Sequence, residues 1–148
     1  MSASNNSLHE IYRRESVVPR LVNNTAVTSG WIDARSARRV YTLINMGATD
    51  TTVDAKLEQA TDSSGTGAKD VTSAAITQFS ATDDNKVASI DMETDRLDAK
   101  NGFYYFRLKI TIGNGATGAN VAAEILLTQR HLPASQPTAY AQQVVLAG

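Results

Sequence analysis

Two alternating runs of apolar and polar residues, joined by a glycine-rich loop between Leu97 and Arg130, constrain the fold more than any other stretch. In the first run, one set of alternate residues is apolar and consists of Tyr104, Phe106, Leu108, Ile110 and Ile112. The residues between them are Phe103, Tyr105, Arg107, Lys109 and Thr111. Because successive side chains of a strand point to opposite faces, this pattern predicts a strand with one buried side and one solvent-facing side.

The second run follows the loop Gly113–Asn120, whose glycines and asparagines tolerate positive φ. Its apolar parity holds Val121, Ala123, Ile125 and Leu127. Two such runs across a glycine-rich loop predict an antiparallel hairpin. A hairpin alone is marginal in water, so its apolar face requires a second layer from the rest of the chain.

Other segments carry similar but shorter patterns. Strands are predicted at Val27–Ala34, Arg38–Met46, Thr52–Ala60 and Lys86–Met92. Both parities of Arg38–Met46 carry apolar residues, which is typical of a strand covered on both faces. Asp70–Ser80 fits a helix or a strand, and its β-branched residues favour the strand. About seven or eight short strands separated by turn signals predict an all-β fold, a single antiparallel β-sandwich of jelly-roll type.

The two ends of the chain differ from this middle part. Leu8–Val18 fits either a short helix or an extended arm, and Pro19 ends a helix there. The segment after Leu132 has two prolines and no charged side chain, which predicts an extended arm. We therefore predict an N-terminal arm over residues 1–25, a β-sandwich over 26–131 and a C-terminal arm over 132–148.

The apolar end of the C-terminal arm is a candidate contact segment. Val144, Val145 and Leu146 are consecutive apolar residues, two of them β-branched. Segments of this kind add to sheet edges or fill grooves on a neighbour. Folding back over the chain's own sandwich is the alternative, and the sequence leaves both open.

Composition limits the classes of partner. The chain has 148 residues, and 14 basic side chains balance 15 acidic ones for a net charge of −1. This balance gives no electrostatic reason to expect nucleic acid or an anionic membrane as a partner. The absence of cysteine excludes disulfides and thiolate metal sites. The first residues do not resemble a signal peptide, and no apolar run approaches about 20 residues, so we expect synthesis in a cytoplasm.

Motifs that carry catalytic or metal chemistry are missing from the sequence. His9 and His131 stand apart from any metal-ligand pattern. Residues 65–69 lack the order of a phosphate-binding loop, and no serine lies in a Gly-x-Ser-x-Gly elbow. The acidic residues at 83–84 and at 91, 93 and 95 lack the spacing of a calcium loop. We therefore predict that the protein is not an enzyme, and that it has no cofactor, metal or small-molecule substrate.

The candidate partner-contact residues are aromatic, basic or apolar. Phe103 and Tyr105 share the solvent-facing side of the first run, and exposed aromatic residues on a sheet indicate a covered face. The cover is the chain's own arm, a sugar or a protein partner. Basic residues near the N-terminus are candidates for pairing with acidic patches on a protein. The full set is Tyr12, Arg13, Arg14, Trp31, Phe103, Tyr105, Tyr140, Val144, Val145 and Leu146.

Three separated segments resemble small structural proteins of tailed bacteriophages. The first, Leu57–Lys69, reads Leu-Glu-Gln-Ala-Thr-Asp-Ser-Ser-Gly-Thr-Gly-Ala-Lys. The second, Arg96–Phe103, reads Arg-Leu-Asp-Ala-Lys-Asn-Gly-Phe, and the third, Thr128–Pro133, reads Thr-Gln-Arg-His-Leu-Pro. The N-terminal arm shares no pattern with that group.

The resemblance implies a β-sandwich that decorates or cements the capsid shell, without catalytic residues. It implies binding to the major capsid protein and to other copies of the chain, location on the virion surface, and synthesis in the bacterial host. A tail, neck or head-tail connector component is the first alternative. A carbohydrate-binding module is the second, because Trp31, Phe103 and Tyr105 are aromatic residues of the kind that stack on sugars.

Overall fold

The chain folds into two antiparallel sheets that pack face to face. The computed structural model describes residues 13–35 and 37–128. The strands found there are β1 (Arg13–Val22), β2 (Thr25–Thr28), β3 (Ile32–Asp33), β4 (Arg39–Thr49), β5 (Val53–Ala60), β6 (Lys69–Ala75), β7 (Val87–Glu93), β8 (Tyr105–Ile112) and β9 (Ala119–Thr128). Two short 3₁₀ helices, Thr94–Arg96 and Ala99–Asn101, lie between β7 and β8.

The strand order is that of a jelly roll. One sheet has the order β1-β9-β4-β7 and the other β2-β8-β5-β6, with the short β3 also paired to β8. The pairs are nested along the chain. From the outermost to the innermost, they are β1 with β9, β2 with β8, β4 with β7 and β5 with β6. This nested pairing is a long antiparallel ribbon folded over itself. The predicted all-β antiparallel sandwich is confirmed.

The predicted hairpin between β8 and β9 is wrong. β8 pairs with β2, β3 and β5, whereas β9 pairs with β1 and β4 in the other sheet. The connection after β8 crosses from one sheet to the other. Both strands have one apolar face, and the sandwich places these two faces opposite each other across the core. Alternation and a glycine-rich loop are the same in either arrangement, so the local sequence does not distinguish them.

The predicted buried faces of β8 and β9 form the centre of the core. Phe106, Leu108, Ile110 and Ile112 are buried, as are Val121, Ala123, Ile125 and Leu127. Tyr104 was predicted on the buried side of this run, but it precedes β8 and remains 36% exposed. Where the strand begins, not the alternation alone, decides which aromatic residue enters the core.

Residues 13–22 belong to the sandwich and not to an arm. They form β1, so the helix considered for Leu8–Val18 is absent from the part of that segment that the structure describes. Val17 and Val22 are buried against the core, and β1 pairs with β9 from Arg13 onward. The sandwich therefore includes residues 13–22, which lie within the predicted N-terminal arm. Pro19 is tolerated because β1 is an edge strand whose register shifts between Val17 and Arg20.

Two other predictions for single strands have different outcomes. The strand predicted within Asp70–Ser80 is confirmed as β6. The prediction that β4 is covered on both faces is wrong. Val40 and Ile44 are buried on its inner face, whereas Tyr41 on its outer face is 36% exposed. In residues 13–35 and 37–128 no helix is long and apolar enough to cross a membrane.

The crossover between β8 and β9 is held by Asp50, which lies just after β4. Its carboxylate accepts hydrogen bonds from the backbone N–H groups of Thr117 at 2.6 Å and Gly118 at 2.8 Å. Its own N–H donates to the Gly118 carbonyl at 3.1 Å. The N–H groups of Gly118 and Thr117 lower the pKa of Asp50, because they stabilise the charged carboxylate.

We predict that Asp50→Asn lowers stability at neutral pH, because an amide N–H₂ replaces one of the accepting oxygens. A carboxylate with a lowered pKa contributes its full stability above its unfolded pKa of about 3.9, and loses it as pH falls through the folded value. The difference in urea midpoint between the variant and the original chain should therefore shrink below about pH 4. Exposed Asp95→Asn is the control; an Asp50→Asn difference that is constant with pH would contradict the prediction.

A buried hydroxyl in β4 gives a second prediction. Thr42 is fully buried, and its Oγ1 has no hydrogen-bond partner within the described ranges. Thr42→Val keeps the shape and removes the unpaired hydroxyl, so we expect the free energy of unfolding to rise by about 1 kcal/mol. Urea unfolding measures this change.

Thr49→Val is the matched control in the same strand. Thr49 is also buried, but its Oγ1 donates to the Thr51 carbonyl at 2.9 Å. Replacing it leaves that carbonyl without its donor, so we expect a loss of about 1 kcal/mol. Two changes of the same sign would refute the argument.

Candidate partner-contact surface

The candidate surface lies on the outer side of the second sheet, where β3, β8 and β5 run side by side. The pairing of β8 with β3 and β5 places Tyr105 between Asp33 and Ala60, and Arg107 beside Glu58. Four aromatic residues gather here, each with a cation near its ring. We call this set the aromatic surface; it consists of Trp31, Phe103, Tyr104 and Tyr105 with Arg35, Lys69 and Arg107.

Trp31 lies against a guanidinium that is held in place from below. The Arg107 guanidinium carbon is 4.5 Å from the centre of the indole. Arg107 also forms an ion pair with Glu58 at 2.7 Å, and Lys109 reaches the same carboxylate at 3.3 Å. The Glu58 side chain is only 9% exposed. An ion pair with so little exposure is screened weakly, so it fixes Arg107 under the indole ring.

Burial acts to raise the pKa of Glu58, but hydrogen bonds from Arg107 and Lys109 outweigh it. The pKa of Glu58 is therefore lower than usual, and this carboxylate stays ionised at neutral pH. The Arg107 cation against Trp31 consequently keeps its carboxylate partner at neutral pH.

The loop between β5 and β6 packs against the edge of Trp31. A Cβ atom added to Gly65 would lie 2.6 Å from Trp31 Nε1, and Gly65 has a φ of +86°. Only glycine suits a position with both constraints. Asp62 shapes this loop, because its carboxylate accepts hydrogen bonds from the N–H groups of Ser64 at 2.9 Å and Thr66 at 3.1 Å.

Phe103 carries the second aromatic–cation contact. Lys69 Nζ lies 3.9 Å from the ring centre and forms an ion pair with Asp98 at 2.6 Å. The Asp98 N–H donates to Gln59 Oε1 at 2.8 Å. The hydrogen bond from Lys69 lowers the pKa of Asp98. These contacts join Leu57–Lys69 to Arg96–Phe103, two of the segments that resemble phage structural proteins.

Arg35 completes the surface on the side of β3. Its guanidinium forms a two-pronged pair with Asp33, with the shortest distance 2.7 Å. It lies 5.5 Å from the ring centre of Tyr104 and 5.8 Å from that of Tyr105. The hydrogen bond with Asp33 raises the pKa of Arg35. A planar cation and two tyrosine rings are therefore presented together beside β3.

The structure brings together three of the predicted contact residues: Trp31, Phe103 and Tyr105. The backbones of Arg13 and Arg14 lie in β1, at the far edge of the other sheet. The remaining predicted contact residues lie outside the described residues; they are Tyr12, Tyr140, Val144, Val145 and Leu146.

Sequence reasoning missed the charged half of the surface. The alternation of β8 already placed Arg107 and Lys109 on the side of Tyr105, which was a usable signal for a cation beside an aromatic ring. The pairing of Lys69 with Asp98 had no local signal, because the two residues are close only after β6 and the 3₁₀ helices have packed. Among residues 13–35 and 37–128, no group of three or more His, Asp or Glu side chains is placed to hold a metal ion.

Comparisons with known proteins give only loose structural similarity. No protein-family model matches the chain, and no curated protein matches it in sequence. The SPBc2 prophage-derived protein YomS has a TM-score of 0.41 and 11% identity, over 78% of this chain and 93% of that one. The cryo-EM structure of Broad bean stain virus gives 0.44 and 10%, over 89% and 92%. Tobacco streak virus coat protein gives 0.36 and 10%, over 86% and 95%. These values assign neither a family nor a function.

The contact between Gly65 and Trp31 generates a prediction with an internal reporter, because Trp31 is the only tryptophan. Gly65→Ala should displace the indole and shift its fluorescence to longer wavelength. Gly102→Ala is the matched control, since Gly102 also has a positive φ but has nothing within 4 Å of an added Cβ. Both variants should lose about 1–2 kcal/mol of stability from left-handed alanine, but only Gly65→Ala should shift the emission. Equal spectra would contradict this packing.

Proposed function

We propose that the protein is a non-enzymatic structural component of a tailed-phage virion, which decorates and cements the capsid. Its partners are the major capsid protein and neighbouring copies of the same chain. One observation carries the proposal. Two of the segments that resemble phage structural proteins, Leu57–Lys69 and Arg96–Phe103, meet through the ion pair of Lys69 with Asp98 and contribute Lys69 and Phe103 to the aromatic surface.

The composition of the aromatic surface supports a protein partner. Aromatic residues and arginine are enriched at the centres of protein interfaces, where a few of them supply most of the binding energy. Tyr104 is partly exposed, and the rings of Tyr104 and Tyr105 lie beside Arg35. The rings and their cations are already ordered by ion pairs within the chain, so binding loses little side-chain entropy.

The arrangement also suits repeated attachment to a shell. Specific interfaces bury about 1,200–2,000 Å² in total, and a small domain reaches that area more readily with arms in addition to its body. Symmetric repetition multiplies weak contacts into stable association. The jelly-roll fold is compatible with this role, but lectins and cupins share it, so the proposal depends on the surface rather than on the fold.

The alternatives use the same residues differently. A neck or tail component would present the aromatic surface to a ring of few copies. A carbohydrate-binding module would stack sugars on the aromatic rings. In the structure the Arg107 guanidinium already contacts one face of the Trp31 ring, and Lys69 contacts one face of the Phe103 ring. Fewer ring faces are therefore open for a sugar.

Location and copy number test the proposal directly. Particles from a host that carries the gene are purified, the chain is quantified by mass spectrometry, and cryo-EM locates its density. Hundreds of copies on the shell would support capsid decoration. Six or twelve copies at the neck would replace it with the first alternative, and absence from particles combined with a signal on a glycan array would replace it with the second.

Substitutions on the aromatic surface predict how attachment changes. Phe103→Ala should weaken binding to particles that lack the chain by about 2 kcal/mol, or roughly 30-fold. Trp31→Ala should act in the same direction. Thr111→Ala, an exposed residue on the outer face of the same sheet, should bind like the original chain. Equal binding by all three variants would show that this surface does not make the contact.

A further inference from the structure

The sheet edges of the sandwich are not equally protected against added strands. In the part of the chain that the structure describes, the sheets end at β1, β7, β6 and the β2–β3 pair. β1 contains Pro19 within a register shift, and β2 and β3 are short pieces separated by residues 29–31. The register of β6 is broken opposite Leu57. Proline, bulges and short strands are the usual protections of a sheet edge, and β7 has none of them.

β7 is a regular strand with an open row of backbone groups. It pairs with β4 without a register shift from Val87 to Glu93. The Lys86 carbonyl accepts from Met46 N–H at 2.9 Å, and Thr94 N–H donates to the Arg38 carbonyl at 3.0 Å. Because donors and acceptors alternate in direction along an antiparallel strand, the even-numbered residues bond to β4 and the odd-numbered ones point away from it. The groups that point away belong to Val87, Ser89, Asp91 and Glu93 and have no partner in the described ranges.

A groove with a mixed polar and apolar lining lies beside this edge, between β7 and β6. Its volume is about 360 Å³; Val71, Ala74, Ile90 and Met92 form the apolar part of its lining, and polar and charged side chains, among them Arg39, Asp91, Glu93 and Arg96, form the rest. The groove is open because β6 bulges: residues 71–74 stand opposite Leu57 alone, and Ser73 has a φ of +62°. β6 therefore does not close over β7, and a strand added to β7 would place alternate side chains in the groove.

We propose that the free edge of β7 accepts, as an added strand, the C-terminal segment of a second copy of this chain, centred on Val144–Leu146. This inference concerns contacts between copies, so it deepens the proposed function and rests on it only for the setting in a virion. Main-chain hydrogen bonds along β7 would supply affinity, and the apolar part of the groove would receive alternate side chains of the segment.

The chemistry of the segment matches that of the edge. Residues 132–148 contain no Asp, Glu, Lys or Arg, and Val144 and Val145 are β-branched. Both acidic side chains at the groove lie near Arg39, which forms a two-pronged pair with Asp91 at 2.7 and 2.8 Å and lies 3.9 Å from Glu93. An uncharged, β-prone strand brings no further charge to this edge.

The length of chain beyond β9 is enough to reach the edge of a neighbouring copy. Thr128 stands opposite Arg39, which stands opposite Glu93, so β9 ends level with the end of β7. The added strand position is three strand spacings from β9, about 14 Å, which about five extended residues cover. Residues 129–143 reach roughly 50 Å when extended, and they include two prolines that favour extended backbone. A linker of this reach suits the edge of a neighbour.

The edge is tested with two substitutions at one position. Ser89→Pro removes an N–H that points away from β4, so the fold should persist while strand addition is blocked. Ser89→Ala keeps the N–H and is the matched control. Sedimentation of the full chain should show association that increases with concentration for the original chain and for Ser89→Ala. Ser89→Pro and the tail variant Val145→Asp should be at least tenfold weaker, with unchanged circular dichroism and urea midpoint. Equal association by Ser89→Pro, or a chain that stays monomeric at every concentration, would overturn the proposal.

Cysteine cross-linking identifies the origin of the added strand, since the chain has no cysteine of its own. Copies with Ser89→Cys are mixed with copies that carry Val144→Cys and Val145→Cys, and then oxidised. A mixed dimer that requires both partners supports the proposal. A disulfide formed within single chains of the triple variant, without the mixed dimer, would assign the edge to the chain's own tail and overturn it. Self-association is measured here without particles, so its failure is distinguishable from failure of particle binding by the aromatic-surface variants.

Discussion

The fold depends on the burial of two apolar strand faces against each other across the core. β8 and β9 are consecutive in the chain, yet they lie in different sheets, and their inward side chains supply many of the fully buried residues. The nested pairs of the jelly roll, from β1 with β9 on the outside to β5 with β6 on the inside, complete the two sheets. Asp50 holds it from the end of β4 by accepting the N–H groups of Thr117 and Gly118. A glycine at 118 is required, because its φ is +103° and an added Cβ would lie 2.2 Å from the Val22 carbonyl oxygen.

The sequence was sufficient for most of the strands but not for their partners. Alternation of apolar and polar residues predicted which side of β8 and of β9 is buried. The β-branched residues of β6 favoured a strand there. The hairpin was wrong because alternation states which side of a strand is buried and not which strand lies beside it. β1 was missed because Pro19 reads as a helix terminator, and an edge position that tolerates proline is a property of the assembled sheet.

The aromatic surface shows the same division between local and long-range information. Because side chains alternate between the two sides of a strand, Tyr105 and Arg107 lie on the same side of β8. An aromatic residue near a cation was therefore predictable from the sequence. The low exposure of the ion pair between Arg107 and Glu58 was not, because it depends on strand pairing and on Trp31, which lies against Arg107 from the connection between β2 and β3. Charge balance over the whole chain hid this feature as well, since each cation of the surface is paired with a carboxylate: Arg35 with the nearby Asp33, and Lys69 and Arg107 with carboxylates distant in sequence.

β6 connects the aromatic surface with the groove beside β7 without making them one site. Lys69, at the start of β6, lies over Phe103, whereas Val71 and Ala74 further along the strand line the groove. A strand added to β7 would therefore occupy the side of the sandwich and leave the outer side of the second sheet open. If both proposals hold, one copy would bind a shell subunit with its aromatic surface and a neighbour's tail at its edge. Such a tail contact would join two different surfaces, so it would be head-to-tail and could be repeated from copy to copy around a closed ring or along a lattice. Because each copy would then be attached at more than one point, individually weak contacts would be enough to keep it on the shell.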